Sequence, residues 1–327
     1  MTRMLVAIPC RDEAGTLPDV IARIPRHPAG IERVDVLVVD DGSEDATSQV
    51  AVAAGARVIR HGSNRGVGLA FRTAVEAALA GGYDLLVTLD GDGQFAPEEI
   101  PDLCAPVLAG DCDAATGSRF LDGSTVHGMP RVKRVGNALM SALVSRLTGR
   151  RYRDVSCGFR CYGVEALLRM NLHGGFTYTQ ESFLDLAANH LSIAEVPITV
   201  HYFDDRRSRV AGSLPRYAAR TSTILMRGYR DYFPLRFFWS LAVVPLVLGL
   251  GFAAVFLANF LRTGLFTGYL FAGFMAAFLV TVALVLLLVG LVADMLDRSR
   301  RNQERVLLLL RRQQHTAARE AASQDRP

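Results

Sequence analysis

The stretch Leu89-Asp90-Gly91-Asp92-Gly93-Gln94 puts two carboxylates one residue apart, each followed by glycine, after the apolar run Leu85-Leu86-Val87. Carboxylates at that spacing can both reach a hard divalent cation and leave part of its shell to phosphate oxygens. Without a cation the two charges would repel any phosphate brought to them. Glycine lets the chain turn sharply and lets a bulky ligand approach the backbone. The pattern therefore predicts a metal together with a nucleotide phosphate, and it reads the glycines as clearance for a bulky ligand. No glycine-rich P-loop ending in Lys-Ser/Thr occurs, which sets aside ATP hydrolysis of that type.

Such residues need a scaffold, and the first half of the chain supplies one. Residues 4–10, 33–43, 56–62 and 83–94 read as strands, and 15–24, 45–55 and 67–82 as the helices between them. Alternation of this kind, with continuous apolar runs in the strands, predicts a mostly parallel α/β sheet covered on both faces. Ligands of open sheets sit outside the carboxyl ends of the strands. Pro9 to Glu13, Asp40 to Ser43 and Asp90 to Asp92 all fall at such ends. They converge.

Beyond Gln94 the pattern is less regular. Residues 97–110 read as a helix, 113–120 as a short strand, 131–149 as a helix with basic residues on one side, and 191–203 as a late strand. Residues 214–236 have the basic, amphipathic composition of an interfacial helix. Two uncharged runs follow, Phe237 to Leu261 and Thr263 to Ala293, broken only by Arg262. Each exceeds the roughly 20 residues that cross a bilayer core. Arginines gather on both outer flanks, at Arg216, Arg220, Arg227, Arg230 and Arg236 before the runs and at Arg298, Arg300, Arg301 and Arg305 after them. The positive-inside rule then predicts a multi-pass cell-membrane hairpin, spans 237–261 and 265–293, with the catalytic domain and both termini cytoplasmic. Residues 294–327 read as a charged amphipathic tail on the membrane or in a coiled-coil contact, its last dozen residues without structure.

The net charge of +4 is small, and basic residues are not interleaved with aromatics, so no nucleic-acid face is expected. Five cysteines without framework spacing suit a reduced compartment, and Cys157 with Cys161 lacks a second ligand pair for zinc. The N-terminal apolar run is too short for a secretory signal.

The segments AIPCRDEAGTL, VLVVDDGSEDAT, NRGVGLAFRTA, TLDGDGQFAPEEI, GSRF and DVSCGFRCY together resemble family 2 glycosyltransferases in order and spacing. More closely, they resemble the polyprenol-phosphate sugar transferases typified by dolichol-phosphate mannosyltransferase, over roughly residues 3 to 213. The resemblance implies a GT-A catalytic domain, residues 1–213, with a Rossmann-like, mostly parallel sheet, a Mg2+ or Mn2+ ion, and inversion at the anomeric carbon. Pro9, Arg11 and Glu13 match the motif that holds the nucleoside, and Asp40 and Asp41 the acidic pair on base and ribose. Asp90, Gly91 and Asp92 match the metal and diphosphate signature, with Gln94 assisting the metal. Arg119, and Arg131 or Arg134, match positions facing the phosphates of donor or acceptor. Asp154, Gly158, Phe159 and Arg160 match an Asp-x-x-x-Gly-Phe-Arg motif near the acceptor, and Glu181 lies near an acidic position of the second half. The family's Arg-x-x-Gly-x-Ser-Lys/Arg loop is altered: Ser208-Arg209 fits its end, but Arg206 stands where the glycine belongs. Arg206, Arg207 and Arg209 are therefore assigned to the donor phosphates only as a group.

The reaction implied moves a hexose from GDP-mannose or UDP-glucose to a polyprenyl phosphate among the membrane lipids, with Asp92, Arg119 and Asp154 as the catalytic set. A phosphate acceptor is already anionic, whereas a hydroxyl would need a carboxylate base, for which Asp154 and Glu181 are the candidates. Three alternatives stay open: transfer to a hydroxyl of a glycan or glycolipid, processive polysaccharide synthesis, and a non-catalytic membrane scaffold. Processive synthases carry Gln-x-x-Arg-Trp, and the only tryptophan here, Trp239, lies inside the first apolar run. The sequence leaves the donor and the oligomeric state open, a homo-oligomer included.

Overall fold

A computed structural model of the chain describes residues 2–171, 178–202 and 233–324, together with residues 223, 226, 227, 229 and 230. The chain forms two compact units, Met1–Leu225 with Val306–Pro327, and Met226–Arg305.

The strands of the first unit are β1 (Arg3–Cys10), β2 (Arg33–Asp40), β3 (Arg57–Arg60), β4 (Leu85–Thr88), β5 (Ala114–Ser118), β6 (Thr125–His127), β7 (Arg160–Gly163), β8 (Ile193–Pro197) and β9 (Thr199–His201). Seven of them make one sheet in the order β3-β2-β1-β4-β7-β5-β8, and β6 pairs with β9 in a second. Helices α1 (Leu17–Ala22), α2 (Thr47–Ala53), α3 (Val67–Ala80), α4 (Ile100–Leu108), α5 (Arg131–Thr148), α6 (Val164–Arg169) and α7 (Thr179–Ala188) cover the large sheet. Successive strand residues point to opposite faces, so the apolar runs feed two cores. Met4, Val6, Ile8, Val38 and Val87 pack with Leu17, Ile21 and Leu103 on one face. Leu5, Ala7, Leu37, Val39 and Leu86 pack with Phe71, Ala74 and Leu167 on the other.

The parallel strands follow the sequence reading closely. The second half departs from it. β7, which carries the end of the DVSCGFRCY segment, enters the sheet antiparallel between β4 and β5, with Arg160 beside both Thr88 and Thr116. Its start therefore lies at the carboxyl ends of the parallel strands, which delivers Asp154 to Gly158 to that edge. The late strand is two strands. Ile193–Pro197 pairs with β5, and after Pro197, which has no amide hydrogen to extend the ladder, Thr199–His201 crosses to β6.

The second unit contains α8 (Pro234–Thr263) and the first part of α9 (Leu270–Gln324), helices long and apolar enough to cross a membrane, with mean hydropathy of 2.6 and 2.9 over their best windows. Gly249 faces Val280, Gly273 faces Phe256 and Gly290 faces Phe238, each with a Cβ position within 3.2 Å of the neighbour. Small residues at such crossings let apolar helices approach closely. Outward-facing Leu261, Phe271 and Phe274 remain exposed, which suits a lipid surround.

Helix α9 runs unbroken from Leu270 to Gln324, so most of the second span, the charged tail and the described part of the end read as unstructured are one helix. Its Val306–Gln324 part belongs to the first unit and packs on it. Arg311 donates to the carbonyls of Leu168 and Met170 at 3.2 and 2.8 Å, and Arg312 to both Glu165 oxygens at 2.8 Å. Buried His315 donates through Nε2 to the Tyr83 carbonyl at 3.0 Å, and Arg319 pairs with Asp84 at 3.1 Å. Gly82 has φ +65, and a Cβ there would lie 2.7 Å from the Arg319 nitrogen. Gly82→Ala is expected to cost about 1–3 kcal/mol through strain and overpacking. It should also open Arg311, Arg312 and Arg319 to trypsin well before the wild type is cut there. Equal cleavage rates in the two proteins would contradict this docking.

Candidate active site

The first two strand ends are tied to each other and to their own loops. Asp40 is fully buried and accepts from the Ser43 amide at 2.7 Å and from the Ser48 hydroxyl, with Arg60 3.7 Å away. Burial alone would raise its pKa. The Ser43 and Ser48 hydrogen bonds and the Arg60 charge outweigh that and hold the carboxyl below its ordinary value. Asp41 accepts from the amides of Arg65 and Gly66 at 2.9 and 2.8 Å and contacts His61 Nδ1 at 2.9 Å. Both carboxylates, expected on base and ribose, are thus turned to the chain and shape the loops at 43–48 and 61–66. Pro9 is buried in β1, while Arg11 reaches Asp12 at 3.6 Å and Glu44 at 4.0 Å. The Glu13 amide donates to Thr47 Oγ1 at 2.8 Å, and Thr16 Oγ1 donates to the Gly91 carbonyl at 2.9 Å. That bond joins the first strand end to the acidic loop.

In the acidic loop burial first, then the Asp92 charge, pushes the Asp90 carboxyl up to about 7, against the pull of Arg119. Two carboxylates so crowded fit a cation. Gly158 adds room, since a Cβ there would fall 3.0 Å from Asp90 Oδ2. The Asp92 carboxylate accepts the Gln94 amide at 3.0 Å, and the Gln94 carbonyl accepts the His201 amide at 2.9 Å. Among the described residues no three His, Cys, Asp or Glu side chains form a metal cluster, so an ion held by Asp90 and Asp92 would draw further ligands from phosphate, water or Gln94. Gly91 is not clearance for a ligand. Its Cβ position lies 3.2 Å from Cys10 Cβ and 3.3 Å from Ile8, so it serves packing against β1, while Gly93 takes φ +75 to turn the loop.

Opposite the acidic loop stands a buried ion pair. Arg119 grips Asp154 through Nε and one Nη at 2.6 and 2.8 Å, and its backbone amide adds a bond of 3.1 Å. The remaining Arg119 donors reach the Tyr202 hydroxyl at 2.6 Å and Ser156 Oγ at 2.7 Å. Glu195 of β8 accepts the Asp154 amide at 2.8 Å. Burial opposes both charges, yet the mutual hydrogen bonds hold the Asp154 carboxyl low and the Arg119 guanidinium high. A carboxylate so occupied is not poised as a base.

Helix α5 adds a cation that the sequence reading passed over. Asn137 and Ser141 both donate to the Arg153 carbonyl, at 2.9 and 3.0 Å, and Val144 is buried below them. Lys133 lies one turn before Asn137 on that inward face, with its ammonium 4.7 Å from the Tyr202 ring centre. Burial, then the Arg119 charge, lowers the Lys133 pKa, and Asp92 acts in the opposite sense. Arg131 and Arg134, expected to face phosphates, are exposed on other faces of the helix. A signal was available, for Lys133 is the only lysine in a chain otherwise basic through arginine, and it stands four residues before Asn137.

Two further expectations change. Arg160, expected to face the acceptor, is buried and donates to the carbonyls of Cys157 and Val155 at 2.8 and 3.1 Å and to Ser182 Oγ at 2.5 Å. It braces the loop entering β7. Glu181 is buried in the first turn of α7, a helix the sequence reading did not anticipate. Arg206, Arg207 and Arg209 lie outside the described residues.

The chain is similar to several characterised proteins. The polyprenol monophosphomannose synthase of Mycolicibacterium smegmatis is 34% identical over 226 residues, 66% of this chain and 84% of that protein. The undecaprenyl-phosphate mannosyltransferase of Micrococcus luteus is 28% identical over 221 residues, covering 65% and 89%. The dolichyl-phosphate hexose transferase of Haloferax volcanii is 33% identical over 187 residues, covering 57% and 78%. Among solved structures, the Mycobacterium tuberculosis glucosyl-3-phosphoglycerate synthase in complex with Mn2+, UDP and glucosyl-3-phosphoglycerate superposes with a TM-score of 0.56, at 22% identity over 69% of this chain and 80% of that one. That likeness carries the fold, which is GT-A. The family pattern itself spans residues 5–174, from the first strand through the acidic loop and past β7 and α6, and with it the chain belongs to glycosyl transferase family 2.

Proposed function

We propose that the chain transfers a hexose, mannose or glucose, from a nucleotide sugar to a polyprenyl phosphate at the cytoplasmic face of a membrane, with inversion at the anomeric carbon. The observation that carries this reading is the juxtaposition, at one sheet edge, of crowded Asp90 and Asp92 with the cations Arg119 and Lys133. The acidic half suits a cation-borne diphosphate, and the basic half suits a second phosphate. The names of the related lipid-phosphate transferases and the two long apolar helices support a polyprenyl carrier for that phosphate.

An acceptor phosphate oxygen attacks the anomeric carbon while the bond to the donor's diphosphate oxygen breaks, and the nucleoside diphosphate leaves with the electron pair. When bound, Mg2+ or Mn2+ supplies Lewis acidity toward that diphosphate. Asp90 and Asp92 would hold the ion, with Gln94 beside them. Arg119, kept in place by Asp154 and Tyr202, and Lys133 provide fixed positive charge that holds and orients the acceptor phosphate. No proton has to be removed from that acceptor. The commitment of both Asp154 oxygens to Arg119 therefore favours a phosphate over a hydroxyl, and it makes Asp154 a positioning residue.

Purified protein in micelles with Mn2+, labelled GDP-mannose or UDP-glucose and polyprenyl phosphate should form a labelled sugar lipid. Labelling of a glycan or hydroxyl acceptor alone would remove the proposal. Asp92→Asn should abolish transfer yet leave the metal-free fold as stable or slightly more so, because it relieves repulsion with Asp90. Asp154→Asn should instead destabilise by about 3–5 kcal/mol in urea unfolding, since it strands the buried Arg119 charge. The opposite ordering of the two variants would contradict these roles for the two carboxylates. Lys133→Ala should lower transfer about 10- to 100-fold while Arg134→Ala stays within about threefold. An amine-selective acylating reagent, which meets no other lysine side chain, should inactivate the wild type unless polyprenyl phosphate is present.

A further inference from the structure

The amino-terminal half of β2 borders a second cleft. β3 pairs only with Leu37–Asp40, so among the described residues the Arg33–Val36 end of β2 has no strand on that side. In the gap lies a cleft of about 290 Å³, whose lining includes Leu5, Arg26, Arg33, Asp35, Arg57 and Tyr83. Three arginines and one aspartate thus line it. That carboxylate is already engaged, since Asp35 pairs with Arg33 at 2.8 Å and accepts the Tyr83 hydroxyl at 2.8 Å. Neither Arg26 nor Arg57 makes an ion pair or a side-chain hydrogen bond with any described residue. A fourth arginine, Arg3, stands beside Arg33 in the strand register but outside the lining, its guanidinium 4.7 Å above the Tyr83 ring and donating to the Gly81 carbonyl at 2.8 Å.

Like charges gathered on neighbouring strands are unfavourable unless something of opposite charge lies among them. The guanidinium fork matches phosphate oxygens two at a time, and several forks around one cavity favour a multiply charged anion over a single carboxylate. The cleft is at the small end of ligand cavities, which begin at about 300 Å³, so it suits a phosphate or diphosphate group rather than a whole nucleotide. It opens near the starts of the strands, while Asp90 stands beyond the carboxyl end of β4.

We propose that this cleft is a phosphate-binding site separate from the transferase centre, taking either a free phosphate or diphosphate or the phosphate of a lipid headgroup. The proposal does not rest on the transferase reading. The full chain in phosphatidylcholine nanodiscs, with EDTA to remove divalent ions, is titrated with inorganic pyrophosphate by calorimetry at fixed ionic strength. Saturable binding is expected in the wild type and in Asp92→Asn, weakened at least tenfold in Arg26→Gln/Arg57→Gln. Both substituted side chains are exposed, and an unchanged melting temperature without pyrophosphate verifies the fold. The single variant Arg57→Gln should show a smaller loss in the same direction. Nanodiscs containing phosphatidic acid then separate the sources: suppressed pyrophosphate binding in the wild type identifies a lipid headgroup, and undiminished binding a free anion. No saturable binding in the wild type, or equal affinity in the double variant, overturns the proposal.

Discussion

The Arg119–Asp154 ion pair is the interaction on which the candidate site depends. Removing a guanidinium and a carboxylate from water costs several kcal/mol each, and their attraction offsets this only if the surrounding hydrogen bonds are complete. Here they are supplied from across the second half of the domain: Ser156 ahead of β7, Glu195 from β8 and Tyr202 just after β9. Asn137 of α5 accepts from Ser156 at 2.7 Å and so holds the support itself. Such convergence is possible because β7 runs against its neighbours. Were it parallel, its entering loop would lie at the far end of the sheet, and Arg119 would end its strand without a counterion.

The acidic loop presents the complementary problem. Asp90 and Asp92 crowd two like charges, and the charges of Arg119 and Arg160 pull the Asp90 carboxyl the other way. Gly158 works on both counts. Its carbonyl accepts Thr88 Oγ1 at 2.7 Å, fixing β7 to β4, and its missing side chain leaves the Asp90 carboxylate free of a clash. Arg160, turned inward on the Cys157 and Val155 carbonyls, keeps that glycine in place. The site thus couples an acidic half and a basic half through one short strand.

The legible part of the sequence was the part governed by local patterns. Apolar runs ending in Asp40 or Asp90 announced parallel strands, because a strand buried on both faces leaves a continuous hydrophobic signature. The motif DVSCGFRCY identified the right segment but not its direction, since period and composition are the same for parallel and antiparallel neighbours. Arginines drew attention to Arg131, Arg134 and Arg160, whereas helix phase, set by Asn137 and Ser141, turns Lys133 inward. The glycines of the acidic loop looked like space for a ligand; Gly91 instead gives space to Cys10 and Ile8, a contact between residues far apart in the chain. Docking of Val306–Gln324 was equally hidden, because its partners Tyr83, Asp84 and Glu165 are ordinary surface types in sequence.

Tyr83 shows how the two ends of the sheet are built from the same few residues. Its hydroxyl holds Asp35 beside the arginine cleft, its ring lies under Arg3, and its carbonyl receives His315 of the docked helix. From Tyr83 the chain passes at once into β4 and reaches Asp90 seven residues later, a path of roughly 23 Å at the extended rise of a strand. β4 is buried along its whole length and paired on both sides, with β1 and with β7. Its position along its own axis is therefore fixed by those ladders and by the Tyr83 contacts together. The Tyr83 contacts and the docked C-terminal helix thus anchor the start of the strand whose far end carries the acidic loop.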